Sequence, residues 1–150
     1  MRVALGADHA GVRLKDAVRS QLESKGIVVK DVGTAGEASV DYPDYAVAVG
    51  RSVAAGDADR GILVCGTGFG MAIAANKIDG VRATAVVDVD GARLAREHND
   101  ANVLALGARV TTPDLALQIV ETFLDTSFAG GRHQRRLDKI AAIEHGRCTP

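Results

Sequence analysis

A glycine-rich stretch, Val64 to Lys77, carries the residues of this sequence that are best suited to chemistry. It reads VCGTGFGMAIAANK and places Cys65 and Thr67 between two apolar runs. Backbone N–H groups in such a turn can form a concave set of donors for an oxygen that gains negative charge. A thiolate at Cys65, favoured by the N-terminus of the following helix, could act there as base or nucleophile. An inert core thiol that ends a buried strand is the alternative that this stretch leaves open.

Three other kinds of site fit the stretch less well. Its glycines, at 66, 68 and 70, lack the last glycine of a dinucleotide-binding loop, and no GK[ST] sequence marks a P-loop. A redox site lacks the second cysteine of a CxxC motif. We expect four potential metal ligands to reach the same edge of the fold: Asp8, His9, Cys65 and His98. Their positions in the sequence lack the compact spacing of a metal-binding motif.

Polar residues at other places could complete a site around Cys65. Asp8 and His9 follow the first predicted strand, where they could bind hydroxyls or an anion, or simply cap the next helix. His98 and Asn99 end a predicted helix, where a protonated histidine is favoured and suits a general acid. A solvated helix end is the alternative for that pair.

Two arginines near the C-terminus form a candidate phosphate site. Arg132 and Arg136 are four residues apart and share a helix face, where two guanidiniums can grip one phosphate. The alternative is a solvated basic face. Proton transfer next to the carbonyl of a small phosphorylated substrate would use all of these groups together. They are a thiol base, N–H donors, an acidic histidine and a pair of arginines for the phosphate.

Composition limits the partners. The 150 residues carry a net charge of −1, which argues against nucleic acid or an anionic membrane. Cys65 and Cys148 are too few for a disulfide framework. No stretch reaches the roughly 18 apolar residues of a membrane span, and the N-terminus lacks the apolar segment of a signal peptide. We therefore expect a cytoplasmic protein with reduced cysteines.

The chain alternates short β-rich runs with helical patterns. Strands are predicted at 2–7, 27–33, 60–66, 81–87 and 102–109, and helices at 11–26, 43–58, 70–78, 90–99, 112–126 and 133–146. Such βαβ units predict one α/β domain, 1–150, with a five-stranded parallel sheet covered on both faces. Ligands of these folds bind at the carboxyl ends of the strands. The segments 7–9, 65–68, 87–90 and 107–109 fall there.

Five motifs in this order resemble the ribose-5-phosphate isomerase B family and its relatives, the galactose- and allose-6-phosphate isomerases. They are GADHAG (6–11), DYPDYA (41–46), GILVCGTGFGMAIAANK (61–77), REHNDANVLALGARV (96–110) and GGRHQRRLDKI (130–140). The resemblance implies a three-layer α/β/α Rossmann-like sandwich and an aldose–ketose isomerase that works through a cis-enediolate. It implies neither metal nor nucleotide cofactor. It also implies a homodimer, paired into tetramers in some members, with the helix at about 133–146 reaching the partner subunit.

The resemblance assigns roles to particular residues. Cys65 would be the base, with Thr67 in the catalytic loop and His98 moving a proton when the sugar ring opens. The implied substrate ligands are Asp8, His9, Tyr42, Gly66, Gly68, Phe69, Gly70, Asn99, Arg109, Arg132 and Arg136. One branch of the family has serine in place of this cysteine and uses a glutamate further along the loop as the base. This sequence does not match that branch, because residues 72–75 offer no carboxylate.

The length of the substrate stays open at this point. Ribose 5-phosphate is the expected substrate, and erythrose 4-phosphate, allose 6-phosphate and galactose 6-phosphate share its C1–C2 chemistry. A protein that binds phosphosugars without turnover is the non-enzymatic alternative.

Overall fold

The computed structural model describes residues 1–147, so Cys148 lies outside the described residues. All eleven predicted elements are present. The strands are β1 (Arg2–Ala7), β2 (Val28–Asp31), β3 (Arg60–Cys65), β4 (Ala83–Ala85) and β5 (Val103–Gly107). The helices are α1 (Val12–Ser24), α2 (Tyr42–Ala54), α3 (Phe69–Ala75), α4 (Val89–Asn99), α5 (Pro113–Asp125) and α6 (Arg132–Glu144).

The five strands form one parallel sheet in the order β2-β1-β3-β5-β4. Ala7 of β1 pairs with Val64 of β3, and Cys65 of β3 pairs with Gly107 of β5. The carboxyl ends of the three central strands therefore lie side by side. The chain proceeds from β1 outwards to β2 and then returns past β1 to β3, so a topological switch point, where ligands bind in such folds, lies between β1 and β3.

Helices cover both faces of the sheet, which confirms the predicted three-layer α/β/α sandwich. Ile62 and Leu104 point to the face that packs against α1, α4 and α5, where Phe123 is fully buried. The neighbouring residues in sequence, Leu63 and Val103, point to the opposite face and pack against α2 and α3. Because alternate side chains enter two cores, the central strands are apolar throughout.

Glycines with positive φ follow the ends of three helices, α1, α2 and α6. Gly26 has φ +73°, and the N–H of Ile27 donates to the carbonyl of Leu22 at 3.0 Å, which closes α1 in a Schellman motif as expected. The predicted end of the second helix at residue 58 is wrong, because α2 ends at Ala54 and Gly56 has φ +75°. No helix within residues 1–147 has the length and apolar character that a membrane span requires.

Candidate active site

Cys65 is the last residue of β3, the central strand, and is 4% exposed. The neighbouring strands place Asp8 on one side of it and Gly107 on the other, because Ala7 pairs with Val64 and Cys65 pairs with Gly107. The backbone N–H of Gly68 donates to its Sγ at 3.1 Å. A donor at this distance stabilises negative charge on the sulfur. The negatively charged thiolate is the form in which a cysteine acts as a base.

The turn after Cys65 presents backbone donors. Gly68 has φ +83°, a conformation that favours glycine, and α3 begins at the next residue. Within residues 1–147, the amides of Thr67, Phe69 and Gly70 donate to no protein acceptor. The turn fits against β5 only because Gly107 has no side chain, since a Cβ there would lie 2.7 Å from the backbone of Thr67. These three amides are therefore the candidates for the set of donors that the sequence predicted.

Asp8 and His9 lie beside this turn, at the end of β1. Oδ1 of Asp8 accepts hydrogen bonds from the amides of Ala10 at 2.9 Å and Gly11 at 3.2 Å. Asp8 thus shapes the turn that leads into α1, but the capping alternative is wrong, because the N-cap of α1 is Gly11 and no side chain caps it. Nδ1 of His9 accepts from the amide of Val40 at 3.2 Å. The His9 contact was not visible in the sequence, because it depends on how the loop before α2 returns to the end of β1.

A cavity of about 250 Å³ borders His9. Its walls come from the start of α1, the loop before α2 and the end of β5: His9, Ala10, Arg13, Leu14, Ala17, Glu37, Ala108 and Pro113. The cavity therefore connects His9 with the segment that leads to Arg109.

Tyr42 and Arg109 flank the glycine turn. The ring of Tyr42, the first residue of α2, lies so close to Gly70 that a Cβ there would be 2.7 Å from Cζ. The guanidinium of Arg109 lies against Gly66, with Nη1 3.3 Å from where a Cβ would stand. Both side chains therefore lie beside the turn that follows Cys65.

Four of the predicted site residues lie elsewhere on the chain: His98, Asn99, Arg132 and Arg136. His98 and Asn99 end α4, beside the amino end of β4, where the carbonyl of Asn99 accepts from Nε of Arg82 at 3.1 Å. The exposed Arg132 and Arg136 lie at the start of α6, which packs against α4. These four residues form a second group at the amino edge of the sheet.

The expectation that His98 reaches the same mouth as Asp8, His9 and Cys65 is wrong within one chain. A helix that connects parallel strands runs back along the sheet, and the eleven residues of α4 cover about 16 Å at 1.5 Å per residue. Its last turn therefore lies at the amino edge, opposite Cys65. Across residues 1–147, no three His, Cys, Asp or Glu side chains are grouped as metal ligands.

His133 is a residue that sequence reasoning missed. Its ring stacks on that of His98, with centroids 4.3 Å apart and planes at 9°. Burial, then the charges of His98, Arg132 and Arg136, lowers the pKa of His133 below the ordinary 6.5. The sequence did show His133 inside a basic run, but nothing in it marked the ring as the contact between α6 and α4.

Comparison with known proteins identifies the family. Residues 3–140 match the model of a family described as Ribose/Galactose Isomerase. Ribose-5-phosphate isomerase B of Escherichia coli (strain K12) is 47% identical over 146 residues, which cover 97% of this chain and 98% of the relative. D-erythrulose-4-phosphate isomerase of Pectobacterium atrosepticum is 42% identical over 147 residues, with coverages of 97% and 96%.

Solved structures agree. Ribose-5-phosphate isomerase B of Clostridium thermocellum is 50% identical and superposes with a TM-score of 0.96, over 97% of this chain and 99% of that chain. The enzyme of Mycoplasma genitalium, solved with bound ribulose-5-phosphate, is 44% identical with a TM-score of 0.92, over 96% of each chain. The resemblance read from the five motifs is confirmed, and the chain belongs to the ribose/galactose isomerase family.

Proposed function

We propose that this chain is an aldose–ketose isomerase that interconverts ribose 5-phosphate and ribulose 5-phosphate. The observation that carries the proposal is the position of Sγ of Cys65, which accepts from the amide of Gly68 beside three amides that have no protein acceptor in the described chain. A base next to a set of oxyanion donors is what proton transfer between two carbons beside a carbonyl needs. The E. coli and M. genitalium relatives carry the name of this activity.

The reaction begins on the open-chain aldose. The thiolate of Cys65 takes the proton from C2, the electrons of that C–H bond form the C1–C2 double bond, and the C1 carbonyl oxygen becomes an oxyanion. The thiol then returns the proton to C1. The hydroxyl proton on O2 moves to O1, which leaves a ketone at C2. No electrons are gained or lost overall, and the atoms of the sugar are conserved.

Backbone amides stabilise the enediolate between the two proton transfers. The amides of Thr67, Phe69 and Gly70 would donate to the oxygen that gains charge, whereas the amide of Gly68 is already bonded to sulfur. One such donor contributes about 10²- to 10³-fold to the rate in enzymes where it has been removed. Asp8, His9, Tyr42 and Arg109 would hold the hydroxyls and the phosphate.

Two chains complete each site. His98 and Asn99 lie at the edge of the sheet opposite Cys65, so His98 of the partner subunit opens the sugar ring there, and the arginines of α6 grip the phosphate. A two-fold dimer, in which each copy offers both edges, creates two such sites. Phe69 and Ile73 of α3, which are 57% and 63% exposed, supply apolar surface next to the site for that contact. The same dimer brings α6 to the partner, as the resemblance implied.

A cytoplasmic location follows from the same chemistry. The mechanism needs Cys65 as a free thiol, and free thiols persist in reducing compartments. The substrate, a phosphate dianion, is likewise found where sugars are phosphorylated.

A four-carbon substrate is the second candidate, because the Pectobacterium relative is named for erythrulose 4-phosphate and is 42% identical over nearly the whole chain. Four-, five- and six-carbon phosphosugars share C1, C2 and the phosphate. They differ in the distance that the site must span between Cys65 and the phosphate ligands.

The experiment is turnover by the purified protein, in the presence of a chelator, on ribose 5-phosphate, erythrose 4-phosphate, allose 6-phosphate and galactose 6-phosphate. We expect the highest kcat/KM with ribose 5-phosphate, no effect of the chelator, and exchange of the transferred proton with solvent deuterium. A higher kcat/KM with another sugar would overturn the substrate and keep the mechanism. Binding of these sugars without turnover would favour the non-enzymatic alternative.

A further inference from the structure

The segment between β2 and α2, residues 32–41, forms a hydrogen bond with β1 near its start and with His9, which lies between β1 and α1, near its end. At its start, the amide of Thr34 donates to the carbonyl of Ala7 at 3.0 Å. Near its end, the amide of Val40 donates to Nδ1 of His9 at 3.2 Å. The residues between these two contacts, 35–39, are exposed. The segment therefore returns to the site at Val40.

One ion pair joins α1 to the end of β2, just before the segment, and a second joins α1 to the segment itself. Nζ of Lys15, which is 3% exposed, lies 2.5 Å from Oδ2 of Asp31 at the end of β2. Arg13 pairs with Glu37 in the middle of the segment at 3.0 Å. The second pair is largely exposed and contributes little free energy on its own. The buried pair and the contact of Thr34 therefore hold the start of the segment, and the contact with His9 holds Val40 near its end.

The contact from Val40 determines which nitrogen of His9 carries a proton. A nitrogen that accepts a hydrogen bond is unprotonated, so the neutral ring of His9 carries its proton on Nε2. The donor is a backbone amide, which cannot act as an acceptor, so the tautomer cannot reverse while the contact lasts. His9 is thereby held as a donor, as a ligand of phosphate or hydroxyl oxygen must be.

The first residue of α2, just after the segment, contacts the other end of the site. Tyr42 follows Val40 by two residues, and its ring packs against Gly70 of the turn that follows Cys65. Residues 40–42 therefore touch His9 on one side and the turn that carries the oxyanion donors on the other. Three residues of extended chain span about 10 Å at most, which limits how far the two ends can move apart.

We propose that residues 40–42 form a spacer that sets the separation between His9 and the turn after Cys65, with the amide of Val40 as the group that positions His9. The spacer fits a sugar phosphate of one chain length and disfavours shorter or longer ones. This inference rests on the proposed function, in which His9 binds substrate.

The test compares Val40→Pro, which removes the amide proton, with Val40→Ala, which keeps it. Long-range ¹H–¹⁵N NMR at pH 8 reports the tautomer of each of the four histidines, and His9→Gln identifies the signal of His9. We expect the Nε2–H tautomer alone in the wild type and in Val40→Ala, and a mixture of tautomers in Val40→Pro. A wild-type ring protonated on Nδ1 would overturn the proposal, and that measurement does not require Val40→Pro to fold.

The kinetic arm measures kcat and KM on four-, five- and six-carbon phosphosugars. For Val40→Pro we expect KM for the best substrate to rise about tenfold with kcat almost unchanged, as loss of one oriented hydrogen bond to an anion predicts. The ratio of kcat/KM between the best and the next sugar should fall at least threefold, whereas Val40→Ala keeps the wild-type ratio. An unchanged ratio in a folded Val40→Pro would overturn the spacer. A wild type without turnover would instead overturn the proposed function and leave the NMR result standing.

Discussion

The imidazole of His98 stacks on the imidazole of His133, with centroids 4.3 Å apart and planes at 9°. His98 ends α4 and His133 lies in the first turn of α6, so this contact joins the two helices. Arg132 is the neighbour of His133, and Arg136 lies one turn further along α6. The ring pair therefore keeps the proposed acid and the proposed phosphate clamp together as one unit.

The stack makes stability depend on pH. Burial is the main reason why the pKa of folded His133 lies below 6.5, and the charges of His98, Arg132 and Arg136 add to it. Below pH 6.5 the unfolded chain therefore binds this proton more readily than the folded chain does. The contribution of His133 to the free energy of unfolding is therefore fully present above pH 6.5. It is lost as the pH falls from 6.5 through the lower pKa of the folded state.

His133→Phe should remove this dependence and keep a ring to stack on His98. Urea unfolding at pH 8, 7, 6 and 5 measures the free energy of unfolding of both proteins. The free energy of the wild type should fall relative to that of the variant as the pH decreases towards 5. If the difference in free energy of unfolding between wild type and variant stays constant across this range, the pKa of His133 does not differ between the folded and the unfolded chain.

Cys65→Ala should abolish turnover while the protein stays folded. Loss of a general base lowers kcat by about 10³-fold in typical enzymes. The removed sulfur leaves only a small void, so we expect a loss of about 1 kcal/mol in the free energy of unfolding. Turnover and urea unfolding on the same preparation separate the two effects, and a variant that keeps a tenth of the wild-type kcat would restore the interpretation of Cys65 as an inert core thiol.

Gly70→Ala should damage the site through Tyr42. The new methyl would stand 2.7 Å from Cζ of the ring, which forces the ring away from α3 at little cost in stability, because the ring is the far end of a side chain that is 41% exposed. We expect kcat/KM to fall about tenfold. The double variant Gly70→Ala/Tyr42→Ala should show little further loss beyond Tyr42→Ala alone, because the clash is then absent.

Gly36→Ala is the matched control, since a Cβ at Gly36 meets only one atom, 4.0 Å away. Stability and kcat/KM should stay at the wild-type values. If Gly70→Ala were equally silent, the ring of Tyr42 would not be held against α3.

Mixing two inactive variants should restore activity if each site takes Cys65 from one copy and His98 from the other. In a mixed dimer of Cys65→Ala and His98→Asn, one site carries both substitutions and the other carries neither. Co-expression gives mixed dimers in half of the population, so about one quarter of the wild-type activity should return, provided that the dimer is two-fold symmetric.

The control for this experiment combines Cys65→Ala with Asp8→Asn. Both residues lie at the same edge of the sheet, so every site in a mixed dimer carries one substitution and no activity should return. Recovery in both mixtures, or in neither, would contradict the division of the site between two chains.

The sequence predicted the group at the carboxyl edge well, because parallel topology alone determines it. Asp8 and Arg109 follow strands of one sheet and Cys65 ends another, and parallel strands end at the same edge. The predicted three-layer fold is confirmed for the same reason. The order of the strands had no signal in the sequence, since it depends on long-range packing.

The remaining features depend on contacts between distant segments. The expected approach of His98 to Cys65 failed because proximity was inferred without the direction of α4. The contact between Val40 and His9 spans 31 residues and uses a backbone amide, which every residue except proline offers. The stack of His98 on His133 requires α6 to dock, and no local pattern predicts where a terminal helix docks.

The division of polar residues between the two edges of the sheet has a quantitative consequence for the cell. If each site takes residues from two copies, as proposed, the monomer has no working site, so the activity per chain depends on the chain concentration. Below the dissociation constant of the dimer, the number of working sites falls with the square of the chain concentration. Halving gene dosage in that range would remove three quarters of the flux through this reaction.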